Sequence, residues 1–174
     1  MITCYDLSDG HEPVSYAELD FLKHLARYLP ENPVVVNIGA ADGLSTVAIL
    51  EERPDAKIYS IDIEPCPQEF VNVEQAGLDS SRVVRILSRS QDVAWDKPPC
   101  DLLFVDGDHW GAAGDIEAWV KTGRVDGIVA FHDFQRNGCA PNNPGSVYED
   151  VTAGMAGYEC IGEAERLIAF RVGG

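Results

Sequence analysis

The sequence predicts an α/β protein built on a doubly wound, mostly parallel sheet of seven strands that ends in an antiparallel hairpin. Three observations predict it. Five short apolar runs alternate with stretches of helical periodicity, the pattern of repeated strand–helix–strand units. Each of these runs turns polar at its carboxyl end. Two last runs are joined by a turn too short for a parallel crossover. The 174 residues suffice for one domain with a sizeable core. Residues 1–32 form an N-terminal segment and helix, and 33–174 the ligand-binding core.

The elements follow in order. Ser15-Tyr16-Ala17-Glu18 has capping-box spacing, and Leu19, Leu22, Leu25, Ala26 and Leu29 then recur at helical intervals up to Pro30. VVVNIG is a buried strand, and the helix after it stops at Pro54. KIYSIDI is the second strand, QEFVNVEQAGL a helix, and RVVRIL the third strand. CDLLFVDGD is the fourth strand, GAAGDIEAWVKTG a helix, and GIVAFHDF the fifth strand. SVYEDVTAGM is helical, and YECIGEAERLIAFRV holds the closing hairpin.

Composition limits the partners. The chain has 29 acidic and 13 basic residues, a formal net charge of −16. Such a surface repels phosphate backbones and anionic lipids, so neither nucleic acid nor membrane is expected as a partner. No apolar run approaches the roughly 18 residues of a membrane-spanning helix, and no signal peptide is visible, so a cytoplasmic protein is expected. The five cysteines are odd in number and form no CxxC, which fits free thiols. The excess of acids over lysines fits a high-salt host or a GC-rich genome equally.

In a doubly wound sheet, ligands sit beyond the carboxyl ends of the strands. Gly39 and Gly43 after the first strand permit a tight turn into a helix, whose free amides can hold a ligand. A dinucleotide fingerprint would need glycine at 39, 41 and 44, and the chain has Ala41 and Leu44 instead. Asp62 ends the second strand 19 positions after Gly43, where a carboxylate can grip both hydroxyls of a ribose. Glu64 is the competing acid on the same side. Ser90 and Gln91 follow the third strand. They can read a base edge as donor and acceptor, and Ser90 can also cap a short helix, both roles being compatible at a strand's carboxyl end. Asp106, Asp108 and His109 end the fourth strand, and His132 and Asp133 the fifth. Adjacent strands about 4.8 Å apart bring these ends together, and clustered carboxylates with an imidazole suit a divalent cation.

Asn37-Ile38-Gly39-Ala40-Ala41-Asp42-Gly43-Leu44-Ser45 resembles motif I of class I S-adenosylmethionine-dependent methyltransferases, with Asn37 in place of the usual acid. DLLFVDGDHW followed by a helix and GIVAFHDF resembles the small O-methyltransferases related to catechol and sugar O-methyltransferases. The resemblance implies a Rossmann-like fold and a cofactor site of Asn37, Gly39, Ala41, Gly43, Ser45, Asp62, Ser90, Gln91 and Asp106. It further implies a metal site of Asp106, His132 and Asp133, filled by Mg²⁺ or Mn²⁺, and His109 as general base. His132 stands where many members carry an acid. The implied reaction is transfer of a methyl group from S-adenosylmethionine to a hydroxyl of a small molecule or sugar. Homo-oligomerisation stays open. The loop around Cys139 is expected to cover the site, with Trp110 and Phe134 at its mouth and Trp119 packed on the sheet. Two rivals remain: a Rossmann-type oxidoreductase, which the failed glycine fingerprint disfavours, and a non-catalytic cofactor-binding or scaffold protein.

Overall fold

The computed structural model describes residues 2–7, 14–108, 111–135 and 146–173. Helix α1 (Tyr16–Arg27) starts at the expected capping box. Glu18 N donates to Ser15 Oγ at 3.3 Å, and Ser15 N donates to Glu18 Oε2 at 2.7 Å. The alternating core then runs β1 (Val34–Ile38), α2 (Leu44–Glu52), β2 (Lys57–Asp62), α3 (Gln68–Gln75), β3 (Val83–Leu87) and β4 (Cys100–Val105). After it come α4 (Ala112–Asp115), β5 (Val125–Phe131), α5 (Ser146–Gly154), β6 (Glu159–Ala164) and β7 (Leu167–Val172).

The seven strands are ordered β3-β2-β1-β4-β5-β7-β6. β1 to β5 are parallel, and β7 pairs antiparallel with both β5 and β6. The hairpin therefore folds back, placing its second strand inside the sheet and its first at the edge. The chain order reverses between β1 and β4, which makes that junction the switch point where such sheets open a ligand crevice.

Side chains of successive strand residues alternate between two buried layers. Val35, Ile58, Leu102, Phe104, Ile128 and Ala169 pack under α1 and α2. Val36, Ile61, Leu103, Val129, Phe131 and Ile168 pack against α4 and α5. The helix expected over residues 111–123 is one α turn that widens into a π turn over Ile116–Val120, where Lys121 N donates to Ile116 O at 3.0 Å. Such widened turns concentrate at functional sites. Trp119 is fully buried there, as its expected packing role requires, and its indole N–H donates to Ser90 O at 3.2 Å.

Candidate functional site

A cleft of about 670 Å³ opens at the carboxyl ends of β1, β2, β3 and β4. A second cavity of about 600 Å³ lies at the other end of the sheet, between the end of α1 and strands β5 and β7. The carboxyl-end rule for parallel sheets favours the first.

The turn after β1 is set by backbone. Gly39 and Gly43 both have φ of 79°, and Ala41 has 43°. A side chain at Gly39 would collide with the backbone carbonyl of Asp106, so β1 and β4 approach closely only because this residue is glycine. Gly43 serves a different contact: a Cβ there would lie 2.6 Å from Glu69 Cγ on α3, away from the cleft. A larger residue at Gly43 would thus disturb helix packing rather than fill the ligand's approach. Asp62 is held at the cleft by two backbone amides, from Ala41 at 3.3 Å and Glu64 at 3.0 Å. Glu64 also lines the cleft but is exposed.

Six of the nine residues expected around the cofactor line the cleft: Gly39, Ala41, Asp62, Ser90, Gln91 and Asp106. Asn37, Gly43 and Ser45 do not. Asn37 is fully buried, with Nδ2 donating to Ser45 Oγ and Thr46 Oγ1, each at 3.0 Å. Strand alternation explains this, because Asn37 shares the side of Val35 and points under α2. These residues support the glycine turn from beneath.

Ser90 does not cap a helix: Arg89 occupies that position, and Ser90 begins a 3₁₀ turn over Ser90–Asp92. Its hydroxyl instead donates to Asp115 Oδ1, as does Gln91 Nε2 at 2.7 Å. Asp115 lines the cleft and has no role assigned from sequence. Its signal was an acid four residues before the buried Trp119, hence on the same helix face. Burial pushes its pKa up to about 6, against the hydrogen bonds from Ser90 and Gln91, which favour the carboxylate.

The fourth and fifth strand ends converge as expected. Ligand atoms of Asp106, His132 and Asp133 all lie within 4.8 Å of one another. His132 Nδ1 is 2.8 Å from Asp106 Oδ1 and 3.5 Å from Asp133 Oδ1. Asp133 takes φ of 58°, unusual for a non-glycine residue, directly after β5. Two further residues close the cluster, neither assigned from sequence. Glu18 of α1 is buried with its Oε2 3.3 Å from His132 Nε2. Arg166, in the β6–β7 turn, reaches Glu18 Oε1 at 3.2 Å and Asp133 Oδ1 at 3.4 Å.

Burial alone would push the His132 pKa down, but Asp106, Asp133 and Glu18 outweigh it and raise it to about 11. Burial would likewise raise the Glu18 pKa, yet His132 and the Ser15 amide bring it down to about 2. Cation-free, the site thus holds its charge balance through an imidazolium. The donor set also fits a small divalent cation: two carboxylates and one imidazole nitrogen face one another. The other ring nitrogen, buried without a hydrogen-bond partner, faces the Glu18 carboxylate. Carboxylates behind a metal-binding imidazole orient the ring in this way. His109, Trp110 and Cys139 lie outside the described residues. Phe134 stacks on Tyr148 at 4.7 Å between ring centroids.

Solved structures share this architecture. The O-methyltransferase TomG from Streptomyces achromogenes, in complex with SAM, is 19% identical, with 92% of this chain and 82% of that chain covered and a TM-score of 0.72. A cofactor-bound protein from MTB is 21% identical, with 91% and 81% covered and a TM-score of 0.74. The SAH-bound methyltransferase PaMTH1 from Podospora anserina is 17% identical, with 98% and 85% covered and a TM-score of 0.71. At these identities the likeness shows the fold alone. No curated protein sequence matches the chain. A family model described as a methyltransferase domain matches residues 36–134, which run from β1 through the glycine turn to the ends of β4 and β5. With residues 36–134, more than half of its length, matched by that model, this chain belongs to the methyltransferase-domain family.

Proposed function

We propose that the chain is an S-adenosylmethionine-dependent methyltransferase acting on a hydroxyl of a small molecule or sugar, with a divalent cation, Mg²⁺ or Mn²⁺, assisting. The observation that carries the reading is the chemistry of the cleft. Asp62, Glu64, Asp106 and Asp108 line it, with Arg89 the only basic residue among the described ones. Such a lining attracts a cationic sulfonium ligand and repels the pyrophosphate of a dinucleotide, which weakens the oxidoreductase alternative. Two of the structural neighbours hold SAM or SAH.

When bound, S-adenosylmethionine supplies a methyl group made electrophilic by its sulfonium. Asp62, already oriented by two amides, accepts hydrogen bonds from the ribose hydroxyls. Ser90 and Gln91 face the base. The Gly39 turn lets the cofactor's amino acid portion approach the backbone beside Asp106. Asp106, His132 and Asp133 would hold the cation, which supplies Lewis acidity toward the acceptor hydroxyl. His109 takes the hydroxyl proton. Much of the rate comes from aligning acceptor and methyl group.

Titration calorimetry of the full chain with S-adenosylmethionine tests the cofactor assignment. Mass spectrometry over a panel of hydroxyl acceptors, with and without a chelator, tests the reaction. Binding followed by a mass gain of one methyl group, lost in chelator, is the expected result. No binding would overturn the reading. Binding without turnover on any acceptor would favour a non-catalytic cofactor-binding protein.

A further inference from the structure

A row of polar residues crosses the sheet beneath α2 and α3. Asn37 on β1, Ser60 on β2 and Arg85 on β3 are register partners, so their side chains share one face. The neighbouring row on that face is Val35, Ile58 and Val83, all buried in the core. Glu69 of α3 meets the polar row and is fully buried. Its Oε1 accepts from the hydroxyls of Thr46 and Ser60, each at 2.6 Å, and its Oε2 accepts from the Arg85 guanidinium. One carboxylate thus joins α2, α3, β2 and β3. One turn further along α3, Asn72 Nδ2 donates to Asp42 O in the glycine turn at 2.8 Å.

The hydrogen bonds through Thr46 run in one direction. A hydroxyl has a single proton, and Thr46 gives it to Glu69. Thr46 Oγ1 can then only accept, and Asn37 Nδ2 donates to it at 3.0 Å. The other proton of Asn37 Nδ2 goes to Ser45 Oγ, also at 3.0 Å. Glu69 therefore dictates that position 37 supply a donor. A carboxylate there would face a hydroxyl whose proton is already committed, at a position closed to solvent. Asn37 Oδ1 has no partner among the described residues, so no donor awaits a carboxylate on that side either.

We propose that Glu69, which does not itself line the cleft, is a positioning residue for cofactor binding. Through Thr46 it holds the first turn of α2, directly behind the glycine turn. Through Ser60 it holds β2 two residues before Asp62. The turn beside the cofactor's amino acid portion and the acid at its ribose are thus tied to one buried carboxylate. Buried networks of this kind fix a single arrangement when donors and acceptors match. The proposal rests on the cofactor reading above and deepens it.

The test is titration calorimetry of the full chain and its variants with S-adenosylmethionine, with melting temperatures measured alongside. Asn37→Asp removes the donor and should weaken binding about tenfold. Glu69→Gln keeps an oxygen for Arg85 but sets an amide nitrogen where the Thr46 proton needs an acceptor. It should weaken binding to a similar extent. The double variant reverses the chain of hydrogen bonds: the new amide donates to Thr46, and the Thr46 proton turns to the new carboxylate at position 37. It should recover most of the lost affinity. A network that serves only stability would lower the melting temperatures of the single variants and leave their Kd unchanged, which overturns the proposal while the cofactor reading stands. Losses that simply add in the double variant do the same. If a single variant fails to fold, Ser60→Ala decides, because it removes only the tie to β2. Its binding should be about fivefold weaker, and an unchanged Kd overturns the proposal. A wild type that does not bind S-adenosylmethionine overturns the cofactor reading, and this proposal with it.

Discussion

At the ends of β1 and β2 the site is made by backbone. Gly39 and Ala41 take left-handed φ, and amides of Ala41 and Glu64 hold Asp62. At the ends of β4 and β5 it is made by ions instead, with Asp106, His132 and Asp133 joined to Glu18 and Arg166. The first region borders the cleft of about 670 Å³, whereas the pocket beside Asp106, His132 and Asp133, lined also by Ala112, Phe131 and Val147, holds only about 10 Å³, about the room of one water or small ion. A large organic ligand needs an open shape that backbone geometry can fix without filling it. A point charge needs a tight ring of counter-charges, which only side chains supply.

The largest effect that would separate the two regions comes from His109→Ala. It should lower turnover by roughly two to four orders of magnitude, the range of general-base catalysis, and leave S-adenosylmethionine affinity unchanged. Full activity would confine the chemistry to positioning. Next comes Asp62→Ala, which should weaken cofactor binding by about 1.5–3 kcal/mol through loss of charge-assisted hydrogen bonds. Glu64→Ala should stay within about 0.5 kcal/mol, as an exposed residue without such bonds. Equal losses in the two variants would remove Asp62 from its ribose role.

Cation binding gives a sharper division. The imidazolium of His132 must lose its proton before Nδ1 can serve as a ligand, so Mg²⁺ or Mn²⁺ binding at pH 7 should release about one proton and tighten as pH rises. Calorimetry in buffers of different ionisation enthalpy reads this number directly, and zero released protons would mean that His132 either is neutral beforehand or is not a ligand. The smallest effect is on melting. In cation-free protein, the raised His132 pKa gives stability that is complete below pH 6.5 and is lost as pH rises toward 11. The lowered Glu18 pKa gives stability that is complete above 4.5 and is lost as pH falls toward 2. Glu18→Gln should lower the maximum and flatten both limbs. An unchanged profile would show that Glu18 and His132 are not coupled.

The same division explains what the sequence discloses. The alternation of strands and helices, and residues such as Gly39, Asp62 and Ser90, are legible because their placement depends on neighbours a few positions away. Asp106, His132 and Asp133 are legible one step further, through strand adjacency. Asn37 was assigned to the cofactor because of its motif position, although the period-two alternation that buries Val35 also turns it under α2. Asp115 left a helical-spacing signal. Glu18 and Arg166 left none, since Glu18 is fully accounted for locally by its capping box, and its partner stands 148 positions away.

That separation has a consequence for biogenesis. Glu18 leaves the ribosome 148 positions ahead of Arg166. Contacts so distant along the chain must wait for the intervening elements to be ordered, and synthesis proceeds at only about 5–20 residues per second. The residues that line the cleft, all between Ile38 and Asp115, are synthesised before Arg166. Until the β6–β7 turn docks, Glu18 and Asp133 lack the guanidinium that joins them, and a product that ends before Arg166 would never gain it.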